Sequence, residues 1–158
     1  MNAPIQATQQ EKFDAFEWLR SVAVSDDPHS RHAAVMLVER ALAVPQLADG
    51  EVYVGVLVVD GAPSHHLVLL PGDKTGLTWK KAGAWAKAQG GELPTRKEQA
   101  LLFANAAGAF WHAWYLSCEQ SAGNESYAWC QNFDFGIQGI YFKSSELRTR
   151  AVRRIPIE

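Results

Sequence analysis

The sequence predicts an α+β fold, and three features carry that expectation. Two β-branched, apolar runs, "EVYVGVLVVD" (51–60) and "SHHLVLLP" (64–71), flank a short Gly/Pro turn, which is the pattern of a β-hairpin. Two short helical stripes follow, joined abruptly at "GELPTRKE" (91–98). Beyond Trp111 the pattern turns to short strand-like runs separated by turn residues.

Taken in order, residues 1–10 are polar, and from Lys12 to Val24 the residues Phe13, Phe16, Leu19 and Val22 form one apolar helical stripe. In "SDDPHS" (25–30) the capping oxygens and Pro28 are expected to end that helix. A second helix is expected from about Ser30 to Ala43, closed by Pro45 and Gly50. After the hairpin, Trp79, Ala82, Trp85 and Ala86 mark a helix that Thr78 can cap and Gly90-Gly91 can end.

The "GELPTRKE" joint has a physical reading. Gly90 and Gly91 allow the positive φ of a helix C-terminus, and Pro94 keeps Leu93 extended. Thr95 and Glu98 have capping-box spacing, so a new helix starts at Arg96 and runs to about Asn105. Then "AWYLSCE" (113–119) and "YAWCQNFDFG" (127–136) read as strands around "QSAGNES". "IQGIYFKSSEL" (137–147) reads as a loop, and "RTRAVRRIPI" (148–157) alternates as one closing strand. The division expected is a helical extension over 1–48 and the α+β domain over 49–158.

Composition narrows the function classes. With 158 residues, 47% hydrophobic and 20% charged, the chain buries a core without a disulfide or metal staple. A formal net charge of −2 gives no electrostatic reason to expect nucleic acid. No apolar stretch is long enough to span a bilayer and no secretory signal opens the sequence, so a cytoplasmic location without membrane attachment is expected.

The order "GELPTRKE", "WYLSCE", "YAWCQNFDFG", "ELRTRAVRRI" resembles the lectin-like domain family named for the C-terminal domain of bacterial collagen-like adhesins. That family's pattern is Leu-Pro-Thr-Arg-x-Glu, an aromatic-Trp-Ser-Ser element, Ala-Trp with Phe-x-x-Gly, and Arg-x-Val-Arg. The resemblance covers roughly residues 77–155, and the hairpin is similar to that of short members carried by phages and prophages. It implies a C-type-lectin-like fold, with two helices packed on small twisted antiparallel sheets. Leu116 stands where the family has Trp and Cys118 where it has Ser, while Ile137, Ile140, Tyr141 and Phe142 fill a stretch that is often Asn- or Gly-rich.

By the same resemblance, the ligand or partner surface is expected at Asn132, Asp134, Gln138, Tyr141, Lys143 and Ser145, with Glu119 and Asn124 beside it. The plain alternative is that Phe133, Phe135 and Phe142 are core and the polar residues merely solvated. The expected function is a non-enzymatic module of phage or prophage origin that recognises a protein, either a host factor or a virion component, as in host takeover or counter-defence. Self-association through residues 11–43 is a further expectation. The alternatives are a carbohydrate-binding adhesin or tail module and, last, a thiol-dependent enzyme.

No cofactor and no metal site is expected. The Glu-Pro-Asn, Gln-Pro-Asp and Trp-Asn-Asp elements of calcium-dependent lectins are absent, and Glu119, Glu125 and Asp134 are scattered. His29 and His32 lack a local partner, His65 and His66 point to opposite faces of one strand, and His112 reads as packed or at an edge. Cys118 and Cys130 fall on expected neighbouring strands but read as reduced thiols in a cytosolic chain. Arg148, Arg150 and Arg154 are expected on one strand face with Arg153 on the other, solvated or salt-bridged.

Overall fold

The computed structural model describes residues 26–157. The expected helix at Lys12–Val24 lies outside the described residues. The next helix, α1, spans Pro28–Leu42. Pro28 is the first residue of this helix. Asp27 is the N-cap and accepts hydrogen bonds from the backbone N–H groups of His29 and Ser30. A proline in the first turn forfeits no helical hydrogen bond, because the N–H it lacks has no partner there.

Strands β1 (Val52–Val59) and β2 (Ala62–Leu69) form the expected hairpin, turning at Asp60-Gly61 with both residues at positive φ. A short β3 (Lys74–Leu77) leads to α2 (Trp79–Ala88) and α3 (Arg96–Ala106). Strands β4 (Trp114–Gln120), β5 (Tyr127–Asn132), β6 (Gln138–Phe142), β7 (Leu147–Thr149) and β8 (Val152–Pro156) follow. Two sheets result, ordered β1-β2-β8 and β3-β7-β4-β5-β6. The chain is α+β, as expected.

Two expectations about the C-terminal third are corrected. Residues 138–142 form strand β6 rather than a loop, because Gly139 and Tyr141 alternate with Gln138, Ile140 and Phe142 against β5. Residues 148–157 do not form one strand. β7 runs parallel to β4 in the larger sheet, and β8 pairs with β2 in the smaller one. The crossing at Arg150-Ala151 distributes the four arginines. Arg148 pairs with Asp73, Arg153 with Glu51, and Arg154 with Glu92 and Glu98, while Arg150 donates to the carbonyls of Ala109 and Leu70. The salt-bridged reading holds, and the shared face does not.

The core has two parts. Val54, Leu67, Leu69, Leu102, Tyr115, Phe133 and Val152 pack between the hairpin, α3 and the larger sheet, with the rings of Phe110 and Phe133 stacked at 3.8 Å. Leu70, Ala82, Ala86, Leu93, Leu116, Cys130 and Ala151 seat α2 on the other side. The "GELPTRKE" joint links the two. Gly90 takes φ +80°, and Gly91 is required for space: a Cβ there would lie 2.5 Å from the Val152 carbonyl oxygen and 2.6 Å from Leu70 Cδ1. No helix among the described residues is long and apolar enough to cross a membrane.

Candidate binding face

The N-terminus of α3 gathers a cluster of polar side chains. The expected capping box is present: Glu98 N–H donates to Thr95 Oγ1 at 3.2 Å, and Thr95 N–H donates to Glu98 Oε2 at 2.7 Å. Glu98 is also fully buried and meets two further elements. Arg154 of β8 donates to it through Nε at 2.5 Å and Nη2 at 2.8 Å, and His65 Nε2 of β2 lies 2.8 Å from Oε1. Burial works to raise the Glu98 pKa, but the Arg154 bonds and charge, the Thr95 N–H and His65 outweigh it and hold the carboxyl below its ordinary value. Ser64 Oγ lies 3.0 Å from His65 Nδ1, which completes a polar chain from the hairpin into α3. With Arg154 holding the same carboxylate, this chain works as a clasp.

One residue outward, Arg96 opens the surface. Its guanidinium lies 3.5 Å above the centroid of the Trp129 ring. Its Nε donates to Gln138 Oε1 at 3.0 Å, and Gln138 Nε2 donates back to the Arg96 carbonyl at 2.8 Å and to Gln131 Oε1 at 2.9 Å. Glu119 Oε1 accepts the Arg96 backbone N–H at 2.7 Å. Arg96, Glu119, Gln131 and Gln138 border a cleft of about 680 Å³ that also takes in Leu57, Val59 and His65.

From that cleft an apolar strip runs along β5 and β6. Register pairs Gln131 with Gln138, Trp129 with Ile140, and Tyr127 with Phe142, all on one side of the sheet. Tyr127 and Phe142 rings stand 4.3 Å apart. Ile140 is 43% exposed and Phe142 52%. On the opposite side Cys130 and Tyr141 pack in the core that seats α2, with Tyr141 against Trp114, and Ala128 is buried opposite Tyr141. In the β5–β6 turn, Phe135 and Ile137 are also exposed.

The residues expected at the site do not form one surface. Gln138 and Glu119 meet at Arg96. Asn132 is buried, and its Oδ1 accepts the N–H groups of Asp134 and Phe135 to build the turn. Asp134 is exposed and lies 3.1 Å from His112 Nδ1, and that imidazole is exposed rather than packed. Tyr141 packs on Trp114 behind the sheet, and Ser145 N–H donates to the Phe142 carbonyl. Asn124 accepts from Ser126 N–H within its turn. Of the three phenylalanines, Phe133 is core while Phe135 and Phe142 are exposed.

Lys143 belongs to a second concavity, of about 740 Å³, on the α2 side of the sheet. It lies 4.4 Å over the Trp79 ring and donates to Gln120 Oε1 at 2.6 Å, beside Cys118, Lys80 and Lys87. Cys118 and Cys130 are both free thiols. Desolvation raises the Cys118 pKa, with Glu98 and Glu119 adding to it against Arg154, and burial pushes Cys130 up to about 12. Neither thiol is activated toward nucleophilic chemistry.

Sequence reasoning missed Arg96, Tyr127, Trp129, Ile140 and Phe142 as surface residues. The usable signal was the alternation of large and small side chains in "YAWCQ". Comparison with family models found no match, and comparison with curated proteins found no significant match.

Proposed function

We propose that this chain is a non-enzymatic protein-recognition module of the C-type-lectin-like kind, working through the outer face of β5 and β6. The carrying observation is the strip from Arg96 over Trp129 and Ile140 to Phe142, half-buried at its Arg96–Trp129 end and apolar and exposed at Ile140 and Phe142, on a sheet whose other side is packed. Aromatic residues and arginine are the side chains enriched at the energetic centres of protein interfaces. The strip offers both, and Gln138, hydrogen-bonded to Gln131, holds Arg96 in place. Two helices on a larger sheet, with the closing strand β8 returning to the hairpin, support the lectin-like reading. The short phage-borne members that the sequence resembles support a phage or prophage source and a host or virion protein as partner.

The test is affinity capture from host lysate, with and without phage infection, using the native chain and a Trp129→Ala/Phe142→Asp variant shown to be folded. A protein enriched by the native chain and lost from the variant is the expected result. Equal enrichment by the native chain and the variant would overturn the assignment to this face. Enrichment of nothing, with binding on a glycan array that the same variant loses, would replace the protein partner by a sugar.

A further inference from the structure

The backbone of β6 is as informative as its side chains. It is a terminal strand of the five-stranded sheet, and among the described residues it pairs only with β5. Asn132 N–H donates to the Ile137 carbonyl and Lys143 N–H to the Ser126 carbonyl, each at 2.8 Å. These bonds set the phase of the ladder: in an antiparallel pair, hydrogen-bonded and non-hydrogen-bonded positions alternate. Residues 137, 139, 141 and 143 therefore turn their backbone groups toward β5. Gln138, Ile140 and Phe142 turn theirs to the open edge, where among the described residues only the Phe142 carbonyl is taken, by Ser145 N–H.

Edge strands are ordinarily blunted by charge, proline, bulges or cover. The other edges of this molecule follow that rule. β8 carries Arg153, Arg154 and Pro156, β3 carries Lys74, and β1 is broken by register shifts and tied through its Val54 carbonyl to Asn105. β6 reads Gln-Gly-Ile-Tyr-Phe, with no charge, no proline and no break in its register. At its head stands Arg96, with which no carboxylate forms an ion pair among the described residues. Glu119 is occupied by the Arg96 backbone N–H.

We propose that β6 receives an extended segment of the partner as an added strand, with apolar side chains over Ile140 and Phe142 and a carboxylate at Arg96. This rests on the preceding reading and names the partner's chemistry: an acid-bearing, alternating apolar peptide. An added strand lies roughly 4.8 Å from β6. The open-edge groups supply main-chain affinity, and the Arg96–Trp129 corner supplies the choice of sequence. The charge on Arg96 is the reason for preferring an acidic segment to a second copy of this chain, whose own β6 brings no carboxylate to pair with it.

The probes are fluorescent synthetic octapeptides that alternate valine with threonine and end in glutamate or in lysine, titrated against the full chain by anisotropy. The glutamate peptide is expected to bind at least ~10-fold tighter than the lysine peptide, and Arg96→Glu is expected to invert that order. Ile140→Pro removes an outward N–H without removing a β5–β6 bond, and is expected to abolish binding of both peptides. Should that variant unfold, protection of the Ile140 and Phe142 amides from exchange on peptide addition decides the matter, and its absence overturns the proposal.

Unchanged binding by a folded Ile140→Pro variant would overturn strand addition. The protein-recognition face itself would then stand or fall on Trp129→Ala/Phe142→Asp. No binding of either peptide to the native chain would overturn the proposal, as would a dimer that Ile140→Pro dissolves, which would assign the edge to a second copy.

Discussion

Replacing Glu98 by alanine tests how the face is held. The native carboxylate is fully buried and accepts from Thr95 N–H, two nitrogens of Arg154 and, in the appropriate tautomer, His65 Nε2. Glu98→Ala leaves Arg154 with only Glu92, an exposed partner, and the Leu93 carbonyl. Removing one partner of a buried, hydrogen-bonded ion pair costs about 3–5 kcal/mol. For a chain of this size roughly 2–4 °C of Tm is lost per kcal/mol, so a fall of about 6–20 °C is expected in thermal unfolding.

Glu98→Gln keeps an acceptor for Thr95 and is expected to lose less. The pH dependence follows from the direction of the shift. Because the folded carboxyl lies below its unfolded value of about 4.3, its contribution is fully present above that pH and is lost as pH falls through the folded value. The stability gap between native chain and Glu98→Gln should therefore narrow in acid. A cost below about 1 kcal/mol for Glu98→Ala, or a gap that stays constant down to strongly acid pH, would refute the reasoning.

Gly91→Ala should destabilise the chain more than the roughly 1–3 kcal/mol of ordinary overpacking, because the clash at 2.5 Å is with backbone, whereas Gly90→Ala should cost only about 1–2 kcal/mol for its left-handed conformation; urea denaturation separates them. Tyr115→Phe removes a hydroxyl that donates to Asp73 and accepts from Trp111 N–H, and a loss of about 1–3 kcal/mol is expected by the same method. In maleimide labelling followed by mass spectrometry, exposed Cys118 should react in the native chain, slowly below neutral pH. Buried Cys130 should react only on unfolding, and equal native rates would contradict the burial described.

What could be read from the sequence follows from how local each signal is. The hairpin, the capping box at Thr95 and Glu98 and the glycine stop before it rest on neighbouring residues, and all three are in the structure. β6 was legible only as part of a pair: its strand character comes from register against β5, which a run of large side chains beside Lys143 conceals. The break at Arg150-Ala151 is likewise tertiary, since Arg150 leaves the strand pattern to reach carbonyls at Leu70 and Ala109. For the site, the family resemblance brought Gln138 and Glu119 forward, but Arg96 looked like a capping-helix residue. Its place over Trp129 depends on α3 lying across the sheet, which no short window of sequence contains.

The account stands most directly on where a partner touches the chain. We would place the photo-crosslinking residue p-benzoylphenylalanine at Phe142, on the strip, and separately at Ala84, in the concavity beside Cys118. Both chains would be irradiated in lysate from phage-infected host cells. The account predicts a discrete protein adduct from position 142 that Arg96→Glu diminishes, and none from position 84. An adduct from position 84 alone would contradict it and move recognition to the α2 side of the sheet.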